Sequence, residues 1–305
     1  MQLKQTTNRK KKINKTFYYL DEQNDDFFTL KTSLIVKIDE NYQYLPKSWF
    51  GKICSWFLYY LIAIPFLALF TFFCGTKVYN KKSLKKLKKQ GYIVFGNHTH
   101  FIDAFAVQVR ITAPKRTYII SNKEAVSKRV VRTFTKVLGA LPIADTLSAH
   151  KNMNKSIETI LNKNQVVVVY PEAHIWPYYT GVRPFPATSF KLAAKNRVPV
   201  VPVATTFKKR KFGKKPRIIQ TIGEPIYFDE NLSTQENAIR YRDYCYNYIK
   251  QQVEKSDNYV YNEYIKVETN EQMELYKQYQ NRRTYKKKTI KQRRKEKGLK
   301  NIKTD

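Results

Sequence analysis

Short apolar runs recur along the second part of this chain, and they constrain its fold more than any other feature. The purest run is Val166-Val167-Val168-Val169, and similar runs alternate with segments of helical periodicity. Uninterrupted apolar runs are typical of strands buried on both faces, and strands that alternate with helices form parallel sheets. The sequence therefore predicts an α/β fold with a mostly parallel central sheet and flanking helices. The predicted strands are 92–95, 116–120, 166–170, 200–206 and 217–222, and the predicted helices are 104–111, 123–138, 147–162, 187–196 and 234–253.

Polar side chains follow the first of these strands, in the heptapeptide Asn97-His98-Thr99-His100-Phe101-Ile102-Asp103. A strand end that opens into a helix faces a cleft, where reactive groups usually lie. His98 has the spacing to use Asp103 as the fixed acceptor that orients an imidazole and stabilises its protonated form. The heptapeptide contains no serine or cysteine, so it favours a histidine that activates the hydroxyl of a substrate. The alternative is a satisfied core histidine beside an aspartate that caps a helix.

Further blocks follow downstream in a fixed order. The segment 138–143 contains Gly139 in a tight turn, and the strand at 166–170 ends in Pro171 and delivers the carboxylate of Glu172. A segment at 184–193 and an apolar block of valines and prolines at 198–203 complete the series.

Together these blocks resemble the glycerolipid acyltransferases of the lysophosphatidic acid acyltransferase family, over residues 78–254. The resemblance implies a glycerol-3-phosphate acyltransferase-like fold. It also implies transfer of a fatty acyl group from acyl-CoA or acyl carrier protein to a hydroxyl of a lysolipid, above all 1-acylglycerol-3-phosphate, with no metal and no cofactor. His98 would be the general base, and Asp103 would orient it. Glu172 and Pro171 would shape the acceptor pocket, and backbone amides near Gly139 or at the helix start after Asp103 would stabilise the oxyanion.

Two departures from the family pattern concern the acceptor. Asp145 and Ile175 stand where the family places arginines, which can bind a phosphate through a bidentate fork. We expect Arg183 or Lys191, in the segment after Glu172, to substitute for them. The alternative for both is an ordinary surface charge.

The amino-acid composition restricts the classes of partner that the protein can bind. The formal net charge of +33 on 305 residues predicts a polyanionic partner, either an anionic membrane surface or nucleic acid. The three cysteines have no metal-ligand spacing and indicate a reducing compartment. The spacing of His98, His100 and Asp103 does not fit a dinuclear metal hydrolase. The absence of a glycine-rich phosphate loop and of RNA-binding motifs argues against specific nucleic-acid recognition. The remaining alternatives are an acyltransferase whose acceptor lacks a phosphomonoester, and a non-enzymatic basic protein that binds membranes or nucleic acid.

The segment 53–74 carries no charge and is long enough to cross a bilayer. Lysines flank it on both sides, and the positive-inside rule would keep both flanks in the cytoplasm, which argues against a simple crossing. Pro65 lies near its middle and is expected to break the helix. We therefore predict a membrane-inserted helical hairpin or an interfacial element rather than a single transmembrane helix, with the catalytic domain facing the cytoplasm.

The domain organisation predicted from these observations has four parts: an N-terminal extension at 1–46, a membrane-inserted helical segment at 47–77, an acyltransferase domain at 78–256 and a basic C-terminal extension at 257–305. Residues 1–15 are expected to be disordered, and 27–38 alternates like a strand or hairpin. The lysines and arginines beyond residue 281 would be attracted to an anionic bilayer.

Overall fold

The computed structural model describes residues 13–27, 36–127, 129–211 and 213–280, without the side chains of 129–131. Predictions for residues 1–12, for most of 27–38 and for the basic tail after 280 therefore lie outside the described residues. The chain forms two compact units, one of Met1–Asp25 with Asn262–Asp305 and the other of Asp26–Tyr261.

A seven-stranded sheet organises the larger unit. Its strand order is β2-β8-β7-β3-β6-β4-β5, and the neighbouring strands are parallel except for the β7–β8 hairpin, which is antiparallel. The strands of the chain are β1 Lys15–Tyr19, β2 Lys77–Tyr79, β3 Tyr92–Gly96, β4 Thr117–Ser121, β5 Ala140–Pro142, β6 Val166–Val169, β7 Val200–Lys208, β8 Arg217–Ile222 and β9 Asn262–Lys266. The predicted α/β class with a mostly parallel central sheet is confirmed.

Helices cover both faces of this sheet. The α-helices are α1 Trp49–Phe57, α2 Ile64–Phe73, α3 Asp103–Ala106, α4 Glu124–Ser127, α5 Arg129–Val137, α6 Leu147–Asn162, α7 Lys191–Lys195 and α8 Thr234–Lys255. Two π-helical segments, Leu58–Ala63 and Val107–Thr112, and two 3-10 segments, Lys81–Leu87 and Ala187–Phe190, accompany them, and residues 270–280 of the smaller unit are also helical. The predicted helix 123–138 is described on both sides of residue 128, as α4 and α5, and the predicted helix 187–196 begins as a 3-10 turn.

Successive side chains of a strand point to opposite faces of the sheet, so each central strand contributes to two apolar clusters. Val167 and Val169 of β6 pack into one apolar cluster with α6 and α8, whereas Val166 and Val168 pack into a second cluster on the opposite face. All four valines are buried. A strand buried on both faces must lie in the middle of the sheet, and this places the carboxyl end of β6 beside that of β3.

One continuous helix spans Trp49–Phe73, and among the described residues it is long and apolar enough to cross a membrane. The predicted helical hairpin is therefore wrong. The reason is the π-helical segment before Pro65, where the amide of Ile64 donates to the carbonyl of Tyr59. A π-bulge shifts the backbone hydrogen bonds by one residue, so the helix continues through Pro65 although proline has no N–H to donate.

The smaller unit contains a two-stranded parallel sheet, formed by one strand from the N-terminal part of the chain and one from the C-terminal part. β1 pairs with β9, from Lys15 opposite Asn262 to Tyr19 opposite Lys266. The Phe17 and Tyr264 rings stack with centroids 5.0 Å apart. The sequence analysis assigned these segments to two separate extensions and missed their pairing.

Candidate active site

The polar loops that follow β3 and β6 meet at the carboxyl edge of the sheet. His98 follows β3, and Glu172 follows β6 after Pro171, which is buried. Because β3 and β6 are parallel neighbours, the Glu172 Oε2 can accept a hydrogen bond from the backbone amide of His98 at 2.9 Å. The structure thus connects the His98 backbone to a side chain that lies 74 positions away in the sequence.

The His98 imidazole packs against Tyr170 through its face and points one nitrogen towards Asp103. Its ring stacks on the Tyr170 ring with centroids 4.1 Å apart and planes inclined by 16°. Its Nδ1 lies 3.6 Å from the Asp103 Oδ2, slightly beyond a hydrogen bond. The side chain is 15% exposed, so it is accessible at the surface of the site. Catalytic hydrogen bonds are often long without substrate, and this arrangement is compatible with an Asp–His pair.

Asp103 is fully buried and organises the loop that carries His98. Its Oδ2 accepts hydrogen bonds from the backbone amides of Thr99 at 2.8 Å and His100 at 2.7 Å. The carboxylate therefore ties the loop to the start of α3 and faces the histidine at the same time. The helix itself has no side-chain cap, so of the two alternatives for Asp103 the geometry favours a partner of His98 over an ordinary helix cap.

Glu172 and Arg183 form a buried ion pair beneath the loop. The two side chains are 0% and 1% exposed, and Arg183 Nη2 lies 3.1 Å from Glu172 Oε2. The Glu172 Oε1 accepts from the Arg183 amide at 2.9 Å, and the guanidinium also donates to the carbonyl of His174 and lies over the Trp176 ring. Glu172 is thus a positioning group for His98. The predicted role of Arg183 in acceptor binding stays a prediction, but its burial and its carboxylate partner argue against that role.

Asn97 and the segment after Glu172 fix the loop from two other sides. Asn97 donates to the carbonyl of Thr205 at 2.9 Å and accepts from its amide at 2.7 Å, which ties the loop to β7. The amides of Trp176 and Tyr178 donate to the carbonyls of His98 and Thr99. These contacts were not predicted, although a polar asparagine directly after an apolar strand was a signal that the sequence contained.

His100 lies beside the site and is mostly buried. Its Nδ1 accepts from the Ile102 amide at 3.1 Å, so the neutral ring carries its proton on Nε2, which lies 3.1 Å from the Tyr178 hydroxyl. Burial lowers the pKa of His100 below its usual 6.5, against the opposing effect of the nearby Asp103 charge. Burial likewise raises the pKa of the Tyr178 hydroxyl to about 12. The predicted role of His100 as a loop or pocket residue fits this neutral, hydrogen-bonded state.

Gly139 lies at the opposite edge of the sheet from His98. It precedes β5, and a Cβ there would lie 2.6 Å from the Thr117 carbonyl oxygen. Its φ of +80° also favours glycine, and its amide already donates to the carbonyl of Lys136. The amide of Gly139 is therefore too far from the site to stabilise an oxyanion. The predicted role of Gly139 is corrected to a structural one, since all strand ends that carry reactive groups are on the other edge.

The remaining predicted residues lie outside the His98 loop. Lys191 begins α7 and is half-buried, and its predicted role in acceptor binding stays untested. Asp145 accepts a hydrogen bond from the Ile38 amide at 3.0 Å and pairs with Lys123 at 2.7 Å. This acid therefore tethers the segment around Ile38, which explains locally why it stands where a cation was expected.

The arrangement suits proton transfer to a substrate hydroxyl. In the described part of the chain, no serine or cysteine side chain lies within hydrogen-bond distance of the His98 ring, and no group of three His, Cys, Asp or Glu side chains could hold a metal ion. An imidazole with one nitrogen facing a carboxylate can remove a proton from an alcohol through its other nitrogen. The geometry therefore favours a histidine base that acts directly on the substrate.

Comparisons with known proteins agree with this geometry. Residues 75–206 match the family model described as Acyltransferase, and this range includes His98, Asp103 and Glu172. A search of curated protein sequences gives no significant match. Among solved structures, the chain is similar to the crystal structure of the 1-acyl-sn-glycerophosphate (LPA) acyltransferase PlsC from Thermotoga maritima. The identity is 19%, the similarity covers 67% of this chain and 79% of that chain, and the TM-score is 0.48.

Proposed function

We propose that this chain is an O-acyltransferase that transfers a fatty acyl group from a thioester to a hydroxyl of a lysophospholipid, and the match of residues 75–206 to the Acyltransferase family model supports this proposal. The observation that carries this proposal is the His98 imidazole, which faces the buried Asp103 carboxylate at 3.6 Å and is still accessible at the carboxyl edge of the sheet. The donor is acyl-CoA or acyl carrier protein, and the favoured acceptor is 1-acylglycerol-3-phosphate.

The reaction has one bond formed and one broken at the acyl carbon. His98 removes the proton from the acceptor hydroxyl, whose oxygen attacks the thioester carbonyl. The new C–O ester bond forms, the C–S bond breaks, and the leaving thiolate takes the proton from the imidazolium. Asp103 stabilises the imidazolium in between. Glu172 keeps the loop in place through the His98 amide.

A transfer assay tests this function. Purified protein is incubated with acyl-CoA or acyl carrier protein as donor and with three acceptors: 1-acylglycerol-3-phosphate, a 1-acylglycerophosphocholine and 1-acylglycerol. His98→Ala should lower kcat by about 10²- to 10⁴-fold, the usual contribution of a positioned general base. His150→Ala is the matched control, because His150 lies on α6 and is in the same chain but outside the site. Transfer by His98→Ala at the rate of the His150→Ala control would refute the assignment of the base.

We also propose that the Trp49–Phe73 helix lies in the plane of one leaflet and does not cross the bilayer. One side of the helix contacts the catalytic domain along much of its length. Arg116 donates to the Ser55 side chain at 2.7 Å, and Arg110 donates to the Ala68 carbonyl at 2.9 Å. A helix that crossed the bilayer would place these guanidinium groups in hydrocarbon, at a cost of several kcal/mol each. An interfacial helix avoids this cost.

The other side of this helix is apolar and exposed. Trp49 is 73% exposed, Phe66 59%, Phe72 66% and Phe73 70%. Large apolar side chains in that number would be stabilised by insertion into the acyl region of a leaflet. Phe70 of the same helix lies 6.4 Å from the Phe101 ring of the catalytic loop, so the lipid-facing helix is beside the site.

Flotation with liposomes tests the attachment. Phe66→Ser with Phe73→Ser should reduce binding at both low and high salt, because apolar insertion is insensitive to ionic screening. Tyr227→Ser is the control, since Tyr227 is 43% exposed and lies outside the helix. Release of the wild-type protein by high salt would instead indicate an attachment that depends on lysines and arginines alone.

A further inference from the structure

A strongly basic hairpin loop lies at the same edge of the sheet as His98. β7 runs parallel to β3, so the Lys208 end of β7 and the loop after β3 are on one edge. The hairpin closes at the pair Lys208–Arg217, and seven of the ten residues from 208 to 217 are lysine or arginine, with no acid among them. In the described part of the chain these cations form no salt bridge with a carboxylate.

Arg210 of this hairpin is half-buried and contacts the apolar helix. Its Nη2 donates to the carbonyl of Cys74, at the end of the apolar helix. A Cβ on Gly75 would lie 2.5 Å from that nitrogen, so the glycine is what permits the approach. The Nε of Arg210 is buried and has no hydrogen-bond partner among the described residues. The guanidinium therefore keeps a donor that no group of the surrounding structure uses.

The position of Arg210 is close to the catalytic loop. Cys74 packs in one apolar cluster with Ile102, which directly precedes Asp103, and with Ala106, one helical turn after it. Phe207 of β7 belongs to the same cluster, and its ring lies 5.2 Å from that of Tyr178, the hydrogen-bond partner of His100. Lys215 is exposed on the returning side of the hairpin, and its charge acts on His100, where it adds to the effect of burial in lowering the pKa.

We propose that Arg210 and Lys215 bind the phosphate ester of a substrate while His98 acts on the hydroxyl. Guanidinium and ammonium groups are the usual partners of phosphate oxygens, and two of them on a hairpin at the catalytic edge replace the cations absent at Asp145 and Ile175. The inference rests on the proposed function and names the part of the chain that confers its phosphate specificity. The phosphate belongs either to the acceptor, as in 1-acylglycerol-3-phosphate, or to the coenzyme A of the donor.

Equilibrium binding without turnover separates these sources. The full-length protein in neutral detergent micelles is titrated by calorimetry with 1-acylglycerol-3-phosphate, with 1-acylglycerol and with acyl-CoA, each in the absence of the second substrate. In Arg210→Gln with Lys215→Gln, the affinity for the phosphate-bearing ligand should fall about tenfold or more, as expected for the loss of a charge-assisted hydrogen bond. The affinity for 1-acylglycerol should be unchanged. A loss for 1-acylglycerol-3-phosphate places the acceptor at the hairpin, and a loss for acyl-CoA alone places the donor there.

The matched control carries the same loss of charge at the opposite edge. Lys163 and Lys195 are exposed and precede β6 and β7, so Lys163→Gln with Lys195→Gln tests a purely long-range effect of net charge. Lys215→Gln alone should still weaken binding, and it avoids any disturbance of the half-buried Arg210. Equal losses in the hairpin and control variants would overturn the proposal. Unchanged binding of every ligand, with reduced flotation on anionic vesicles, would also overturn it and identify the hairpin as a membrane contact.

The binding titrations and the transfer assay together separate the hairpin site from the proposed acyl transfer. Acyl transfer by the wild-type protein together with unchanged binding in the hairpin variants would refute the hairpin site and leave the proposed function intact. Phosphate-dependent binding that the hairpin variants lose, without acyl transfer to any acceptor, would refute the proposed function and support the site.

Discussion

Replacement of Glu172 by glutamine should destabilise the protein strongly, because it breaks the buried ion pair with Arg183. Both side chains are at most 1% exposed, and the Glu172 carboxylate accepts three hydrogen bonds, from the His98 amide, the Arg183 amide and the Arg183 guanidinium. A glutamine can keep part of this geometry, but it leaves the guanidinium buried without its opposite charge.

The expected loss follows from that uncompensated charge. Removal of one partner of a buried pair typically costs about 3–5 kcal/mol, a large part of a total unfolding free energy of about 5–15 kcal/mol. Urea unfolding monitored by circular dichroism measures it. Glu230→Gln is the matched control, because Glu230 pairs with Arg197 at 2.7 Å but both side chains are about two-thirds exposed, at 68% and 66%. An exposed pair contributes about 0–1 kcal/mol.

A second variant separates charge from packing. Glu172→Leu with Arg183→Leu removes both charges, and we expect it to unfold at higher urea concentration than Glu172→Gln, since replacement of a whole buried pair by apolar groups is often close to neutral. The reasoning is refuted if Glu172→Gln costs no more than Glu230→Gln, because the carboxylate would then not be compensating a buried cation.

Three further predictions concern residues of the site and the turn opposite it. Gly139→Ala should lower the unfolding free energy by more than Gly213→Ala, because both glycines have positive φ but only Gly139 meets neighbouring atoms, and equal losses in thermal unfolding would contradict the steric argument. The depressed pKa of His100 means that the folded state favours the neutral ring; stability should therefore be intact above pH 6.5 and fall as the pH drops through the folded-state pKa, and His100→Asn should flatten the profile in urea titrations at several pH values. Tyr170→Leu should reduce kcat about three- to tenfold by removing the ring that stacks on His98, whereas Tyr170→Phe should retain activity, and equal rates for the two variants would show that the stack does not position the base.

The sequence was sufficient for the parts of the fold that repeat a simple period. The valine run at 166–169 predicted a strand buried on both faces, and the order of the motifs resembled an acyltransferase, in agreement with the match of residues 75–206 to the Acyltransferase family model. His98 and Asp103 were found because their spacing is local: a loop and the first turn of a helix bring them together. Their roles in catalysis stay predictions until the variants are measured.

Other features depend on contacts that no local pattern contains. The pairing of Glu172 with Arg183 requires that a segment fold back under the His98 loop, so the arginine was assigned to the substrate instead of to the carboxylate. Gly139 was assigned to oxyanion stabilisation because its turn was predicted without its strand, β5, which has only three residues. The continuity of the apolar helix was missed because a proline is a helix breaker on average, and the π-bulge before Pro65 is a local exception.

The parallel pairing of β1 and β9 has a consequence for the order of synthesis. The paired residues lie 247 positions apart, so β1 leaves the ribosome long before its partner exists. At a typical elongation rate of 5–20 residues per second the delay is roughly 10–50 s, enough time for the intervening domain to fold first. During that interval Phe17 and Tyr19, which are buried in the finished protein, have no β9 to cover them. Nascent chains stalled before residue 262 should therefore bind chaperones through residues 15–19, and a shortened C-terminus should leave the N-terminal strand open to proteases.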